Sequence, residues 1–296
     1  APACDTRRCA ACCTSYTRGL DRIFAYSFVP QSLAGALFAI ITAGIAGTYI
    51  VSRRLVFLSG GITHASFGGR GLGHYLAIKP VLGAAVFGLG SAVGMEYMTS
   101  KGKMREDSAI GILWALGMAI GIIFIYMTPG YAPNLMSYLF GSILTVTRGD
   151  LIALGIVSLV LIIYTAVFYR TLLYISFDEN YARTFTRHVD LFKYFSVALT
   201  GLAIVLNIRM AGVILIISLL TIPANIIMLF TRKYLRIIVL SSIVSFIGIS
   251  AGFAVSWFTN LPTGAVIVTV LVIFWVIARG IRGIMAKNKT GINKKS

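Results

Sequence analysis

Gln31-Ser32-Leu33-Ala34-Gly35-Ala36-Leu37-Phe38-Ala39-Ile40-Ile41-Thr42-Ala43-Gly44-Ile45-Ala46-Gly47-Thr48-Tyr49-Ile50-Val51 contains no charged residue and is closed by Arg53 and Arg54. A helix of about 20 residues rises roughly 30 Å, the thickness of the hydrocarbon core of a bilayer, so this run reads as a transmembrane helix. The pattern recurs along nearly the whole chain. Leu55–Leu76, Pro80–Met98, Ser108–Thr128, Leu151–Leu173, Tyr194–Ile208, Gly212–Phe230, Ile237–Phe258 and Gly264–Ile281 are the further candidate spans. They predict an all-α integral membrane protein, a polytopic bundle of about nine transmembrane helices, within bounds of about eight to ten. Tyr194–Ile208 is the shortest of the set, and Asn134–Thr147 is too short and too polar to read as a span.

Composition agrees. The chain has 296 residues, of which 58% are hydrophobic and 12% charged, with a mean hydropathy of +0.89. A soluble domain carries about a quarter charged residues to cover its surface. The net charge of +17, from 26 Lys and Arg against 9 Asp and Glu, could suggest nucleic acid. That reading requires a solvated basic face interleaved with aromatics, whereas these charges fall in short clusters between apolar spans, so nucleic acid is not expected as a partner.

Arg53/Arg54, Lys101/Lys103/Arg105, Arg232/Lys233/Arg236 and Arg279/Arg282/Lys287 all fall on one side of a nine-span arrangement, and the alternate loops are nearly uncharged. Basic loops mark the cytoplasm. The expected orientation therefore has the N-terminus outside and the C-terminus cytoplasmic. Residues 1–22 stand apart: they hold all four cysteines (Cys4, Cys9, Cys12, Cys13) in no zinc spacing, and they have no apolar core like that of a secretory signal. This polar segment is expected to be a disordered or non-native extension, followed by a transmembrane domain over residues 23–285 and a basic cytoplasmic tail over residues 286–296. Small residues four apart, at Gly69/Gly73, Gly90/Gly94 and Gly117/Gly121, allow helix backbones to approach closely in lipid.

Ionisable groups at membrane depth cost about 2.5–3.5 kcal/mol on insertion scales and therefore need a reason. His64 lies midway along the second span, and its imidazole suits zinc, manganese or iron. A packed histidine bonded to a neighbouring helix is the structural alternative. Arg70 and His74 are spaced too far along the span to cluster tightly with it. Glu96, near the basic end of the third span, is expected to make an interfacial ion pair. Asp107 suits the N-terminus of the fourth helix, where the helix dipole favours an acid. Pro223 next to Asn225 predicts a helix break whose freed carbonyls could line a pathway. The sequence has no Walker lysine loop, no HExxH and no defensible catalytic triad, so hydrolysis by this chain itself is not expected.

The polar segment Phe177-Asp178-Glu179-Asn180-Tyr181-Ala182-Arg183 resembles a loop of the permease subunits of ABC-type importers of zinc, manganese and iron. Five further segments agree in order. Arg53-Arg54-Leu55 followed by Thr63-His64-Ala65, then Arg105 to Gly111, then Leu135-Met136-Ser137-Tyr138-Leu139-Phe140-Gly141, Ser218 to Ala224 and Leu261-Pro262-Thr263-Gly264 are each similar to motifs of that family. The resemblance runs from about Arg22 to Arg282. It implies a multi-pass protein of the bacterial plasma membrane, paired with a second copy of itself, two ATP-binding cassette ATPase subunits and an extracytoplasmic metal-binding protein. No cofactor would be bound by this chain, ATP would sit on the partner subunit, and a divalent metal ion would be the cargo.

By the same resemblance, Phe177, Asp178, Tyr181, Ala182 and Arg183 belong to the loop that couples to the ATPase. His64, Asn134 and Asp107 border the metal path, and Pro223 and Asn225 line it. The chain departs from the family pattern at Gly60 and Asn134, where aspartates are usual, and at Arg70 and His74, where apolar or aromatic residues are usual. The alternatives are a permease for a metal chelate of siderophore or cobalamin type, and a secondary metal transporter. The latter would need acids inside the spans, and only Glu96 comes near.

Overall fold

Hydrocarbon offers no water to backbone N–H and C=O groups, so an uncharged run must close its hydrogen bonds within itself, as helix. The computed structural model describes residues 28–128, 141, 147–185 and 187–292, and these are helical throughout, with no strand among the described residues. The helices are α1 Phe28–Ser52, α2 Val56–Tyr75, α3 Pro80–Ser100, α4 Glu106–Met127, α5 Arg148–Val167 and α6 Tyr169–Phe177. They continue as α7 Glu179–Phe185, α8 Val189–Ala211, α9 Val213–Met228, α10 Tyr234–Thr259 and α11 Thr263–Ile292. Asn134, the segment from Leu135 to Phe140 and the extension over residues 1–22 lie outside the described residues.

Among the described residues, seven helices are long and apolar enough to cross a membrane: α1, α3, α4, α5, α8, α10 and α11. α9 is apolar but shorter. α2 is rich in glycine and hydroxyl residues and is buried along most of its length. α1 and α8 are largely buried among the spans, whereas α3, α4, α5, α10 and α11 leave most of their apolar surface exposed. An exposed leucine or phenylalanine face is what lipid requires of a peripheral helix.

Four boundaries differ from the sequence reading. The run Leu151–Leu173 is not one helix, because α5 ends at Val167 and α6 starts afresh at Tyr169. The expected short span Tyr194–Ile208 is the 23-residue helix α8, extended at its start through Asp190 and Lys193. Those charges are tolerated because carboxylates and cations of neighbouring helices neutralise them, which hydropathy along one segment cannot register. The polar segment between Phe177 and Lys193 is mostly helix rather than loop. α11 carries on to Ile292, into the stretch read as a tail.

The helix break expected at Pro223 is also absent: α9 is helical through it from Val213 to Met228. Pro223 and Ala224 are buried and so held by packing, and Asn225 Nδ2 donates to the Thr221 carbonyl at 2.8 Å within the same helix.

α2 packs against α3 and α4 more extensively than any other pair of helices does. A Cβ on Gly68 would stand 2.6 Å from the Gly117 carbonyl oxygen, and one on Gly71 would stand 2.6 Å from that of Gly121. On the other side of α2, a Cβ on Gly69 would run into the Gly83 carbonyl. Gly69, Gly117 and Gly121 thus act as the spacing suggested. Gly90 and Gly94 do not, because nothing lies within 4 Å of a Cβ built at either. Gly71→Val is expected to force α2 from α4 at a cost of about 1–3 kcal/mol, the usual range for overpacking. Gly90→Ala, facing open space, should leave stability unchanged or slightly higher. Thermal unfolding of the two variants in detergent checks the contrast, and equal midpoints would contradict it.

Candidate functional site

His64 sits in the middle of α2, half-buried, between a ring and a sulfur supplied by α4. Its imidazole stacks on Trp114 with centroids 4.1 Å apart and planes 11° apart. Nδ1 lies 3.4 Å from the Met118 thioether. Trp114 and Met118 are four apart on α4 and so share a face. A thioether is a weak acceptor, so the contact favours the tautomer with Nδ1–H donated to Met118. Nε2 then keeps the lone pair that a metal would take. The neighbouring hydroxyls serve their own helix: Thr63 donates to the Gly60 carbonyl at 2.7 Å and Ser66 to the Ile62 carbonyl at 2.7 Å.

Gly60, one turn before His64, faces the same ring. A Cβ there would lie 3.3 Å from Trp114, so the indole takes up the space into which a longer side chain at position 60 would extend. Beside this site a cleft of about 300 Å³ opens between α3 and α4, with Phe87, Gly90 and Ser91 on one wall, Leu113 and Leu116 on the other, and Ala65 between.

The structure does not bring the other sequence candidates to His64. Asp107 is exposed in the first turn of α4, about 10 Å along the axis from Trp114. Arg70 is half-buried and His74 exposed toward the far end of α2. Among the described residues no group of three His, Cys, Asp or Glu side chains could hold a metal ion. Trp114 and Met118 escaped the sequence reading because each is an ordinary apolar residue of a lipid-crossing helix. Their four-residue spacing on one face was the only available hint.

The second candidate region is the helix pair α6–α7. Asp178 separates the two, and its Oδ1 accepts the Tyr181 N–H at 3.1 Å, capping α7. Ala182 is 2% exposed and packs with Ile175 and Val189, so only a small side chain fits there. Tyr181 and Phe185, four apart on α7, are both exposed with ring centres 4.9 Å apart and form one aromatic edge, and Phe177 is exposed at the end of α6. Tyr174 supports that edge, 5.3 Å from Tyr181 and 5.7 Å from Phe185, ring centre to ring centre.

Beneath this edge lies an ion network that the sequence reading missed. Glu96 was expected at an interface; instead it is 2% exposed and pairs with Lys193 at 3.0 Å and Arg53 at 3.5 Å. Lys193 also reaches Glu179 at 3.1 Å. Arg183 pairs with Glu179 at 2.9 Å and Asp190 at 2.7 Å. Arg53 further donates to the Tyr49 hydroxyl at 2.9 Å. Three cations thus face three carboxylates.

Partial burial pushes the Glu179 carboxyl up, but its hydrogen bonds from Arg183 and Lys193 and the charges of Lys193 and Arg53 together hold it below its ordinary value. A depressed carboxyl contributes fully above its unfolded pKa, and the contribution is lost only as pH falls through the lower folded value. The pairing therefore persists through neutral and mildly acidic pH.

At the opposite end of the bundle, Asp150 closes a capping box with Thr147 and accepts from Arg209 at 2.8 Å, joining the start of α5 to the end of α8.

The chain is 39% identical over 257 residues to an uncharacterized membrane protein of Synechocystis, covering 87% of this chain and 92% of that one. It is 30% identical over 259 residues to the manganese transport system membrane protein MntC of Listeria monocytogenes, covering 88% and 92%. Among solved structures, PsaBC from Streptococcus pneumoniae, determined in complex with Fab, matches with a TM-score of 0.76 and 28% identity, covering 89% of this chain and 95% of that one. A family model matches residues 25–281, which include both His64 and the α6–α7 segment: the chain belongs to the ABC 3 transport family.

Proposed function

We propose that this chain is the membrane-spanning permease subunit of an ATP-driven importer of divalent metal ions in the bacterial plasma membrane, that it forms the translocation path, and that it couples to its ATPase through α7. The observation that carries this reading is the α6–α7 segment, within a chain matched to a transport family over nearly all its length. The short helix α7 presents Tyr181 and Phe185 to solvent at one end of a lipid-crossing bundle, with Phe177 exposed at the end of α6. It sits beside the ends of α1 and α3 and the start of α8, to which the ion pairs tie it. Exposed aromatics on a rigid, capped helix suit a groove in a partner protein better than they suit water.

The loop charges put this end in the cytoplasm, with the N-terminus of the chain outside and its C-terminus inside. α2 and α9 complete the path-forming spans although they are less apolar or shorter than the rest, since neighbouring helices rather than lipid cover them. ATP hydrolysis lies in the partner subunit. A metal-binding protein delivers the ion from outside, and a second copy of the chain closes the path.

His64 is the path ligand nearest mid-membrane. One imidazole nitrogen from each copy would bind the ion loosely, which suits passage, since a site that holds its ion too tightly does not release it. Zinc, manganese and iron are the cargo class, and an imidazole ligand leans toward zinc and iron. Pro223 and Asn225 on α9 and Asp107 at the cytoplasmic mouth are secondary path positions. Within the same architecture a bulkier chelate would need a wider passage than the tight α2–α4 seam beside His64.

Two measurements test the reading. Phe177→Ser, Tyr181→Ser and Phe185→Ser together should abolish co-purification of the ATPase while the permease remains folded in detergent. Undiminished capture would sink the docking assignment. His64→Ala should cut uptake of radioactive zinc or manganese by about tenfold or more, the lower bound for perturbing a metal ligand. Normal uptake of both metals would take His64 out of the path.

A further inference from the structure

We propose that Lys193 and Glu96 form an ionic latch that carries displacement of α7 into α3, the helix that walls the cleft beside His64. The proposal rests on the reading of α7 as the ATPase-docking helix.

Both side chains are buried, Glu96 at 2% and Lys193 at 5% exposure. Burying such a pair is a poor way to gain stability, because desolvation cancels most of the attraction and apolar side chains of similar volume often do as well. The network needs another reason, and its connectivity supplies one. Among the described residues, the buried apolar contacts of α7 reach the adjoining helices, through Ala182 against Ile175 of α6 and Val189 of α8. Its link to the rest of the bundle is electrostatic. Glu179 on α7 reaches Lys193 on α8 at 3.1 Å and Arg53, just beyond α1, at 4.0 Å. Lys193 and Arg53 in turn hold Glu96 on α3.

Glu179 is the member able to move. Its side chain is 34% exposed, against 3% for that of Glu96, and one of its oxygens, Oε1, is shared between Arg183 at 2.9 Å and Lys193 at 3.2 Å. A shift of α7 that favours Arg183 leaves Lys193 with Glu96 alone. A shift that favours Lys193 draws the charge of Glu179 toward the buried pair. Either way the load on Glu96 changes. Glu96 lies five residues beyond Ser91 on α3, and Gly90 and Ser91 line the cleft next to Ala65 and His64. Charge–charge forces between buried groups are strong over so short a gap, so the latch connects a solvent-facing helix to the helix that walls this cleft without a continuous backbone link.

The experiment uses the permease with its ATPase and binding protein in lipid vesicles, with Mn2+ and Zn2+ as probes. The double variant Glu96→Gln with Lys193→Met removes both charges together and leaves no unpaired partner within the pair, so it is expected to fold. It should still capture the ATPase and hydrolyse ATP within about twofold of the parent, while metal moved per ATP falls about tenfold or more. Lys193→Arg, which keeps a cation between the two carboxylates, should hold the ratio near the parental one. An unchanged ratio in the double variant overturns the latch, as does a parallel loss of transport and hydrolysis, which would mark a purely structural role. If the parental chain captures no ATPase, the reading of α7 fails and the latch with it, an outcome distinguishable from the other two.

Discussion

The closeness of α2 to α3 and α4 is the constraint on which the site depends. α2 has glycine at positions 60, 61, 68, 69, 71 and 73, and at several of these a single carbon added would meet a neighbour's backbone or ring. Lipid offers no hydrophobic drive for one helix to leave it for another, so association rests on packing contacts and on what polar groups can share. Glycine maximises the first by letting backbones touch. The consequence for function is direct: only at this separation can a half-buried imidazole at position 64 lie flat on Trp114 with Met118 at its edge.

A second constraint operates where the bundle leaves the apolar layer. Arg53, Glu96, Glu179 and Lys193 come from α3, α7, α8 and the segment just after α1, and each offsets the cost of burying another. The network explains why α8 can begin at Val189, ahead of a charged residue, and why α7 is held although its apolar contact is small. Glycine seam and ion network meet on α3, whose one face packs against α2 and whose end holds Glu96.

Much of this was legible along the chain. Length and absence of charge marked the lipid-crossing helices, and basic clusters marked their ends. The segment from Phe177 to Arg183 was recognisable by its resemblance to a family motif, although it read as a loop and not as the capped helix that follows Asp178. The misreadings share a cause. Leu151–Leu173 read as a single span because one charge, Arg170, near the end of a largely apolar run does not show where a helix stops, and α5 ends at Val167. Tyr194–Ile208 read as short because Lys193 was counted as a charge at a boundary, whereas Glu96 and Glu179 neutralise it. Gly90 and Gly94 had the same spacing as Gly117 and Gly121, yet only the latter pair faces another helix.

The sequence by itself determined that this is an all-helical membrane protein, and in which residues its ionisable chemistry resides, because hydrocarbon tolerates few alternatives and penalises every exception. Tertiary structure alone decided which exceptions belong together. It separated Asp107 from His64, set Trp114 and Met118 beside that histidine, and made Glu96 a buried partner of Lys193 rather than a surface charge. The reason is that a charge or an imidazole inside a bilayer is satisfied across helices. Its partner lies tens of residues away in the chain, at a distance set by backbone packing and not by local spacing.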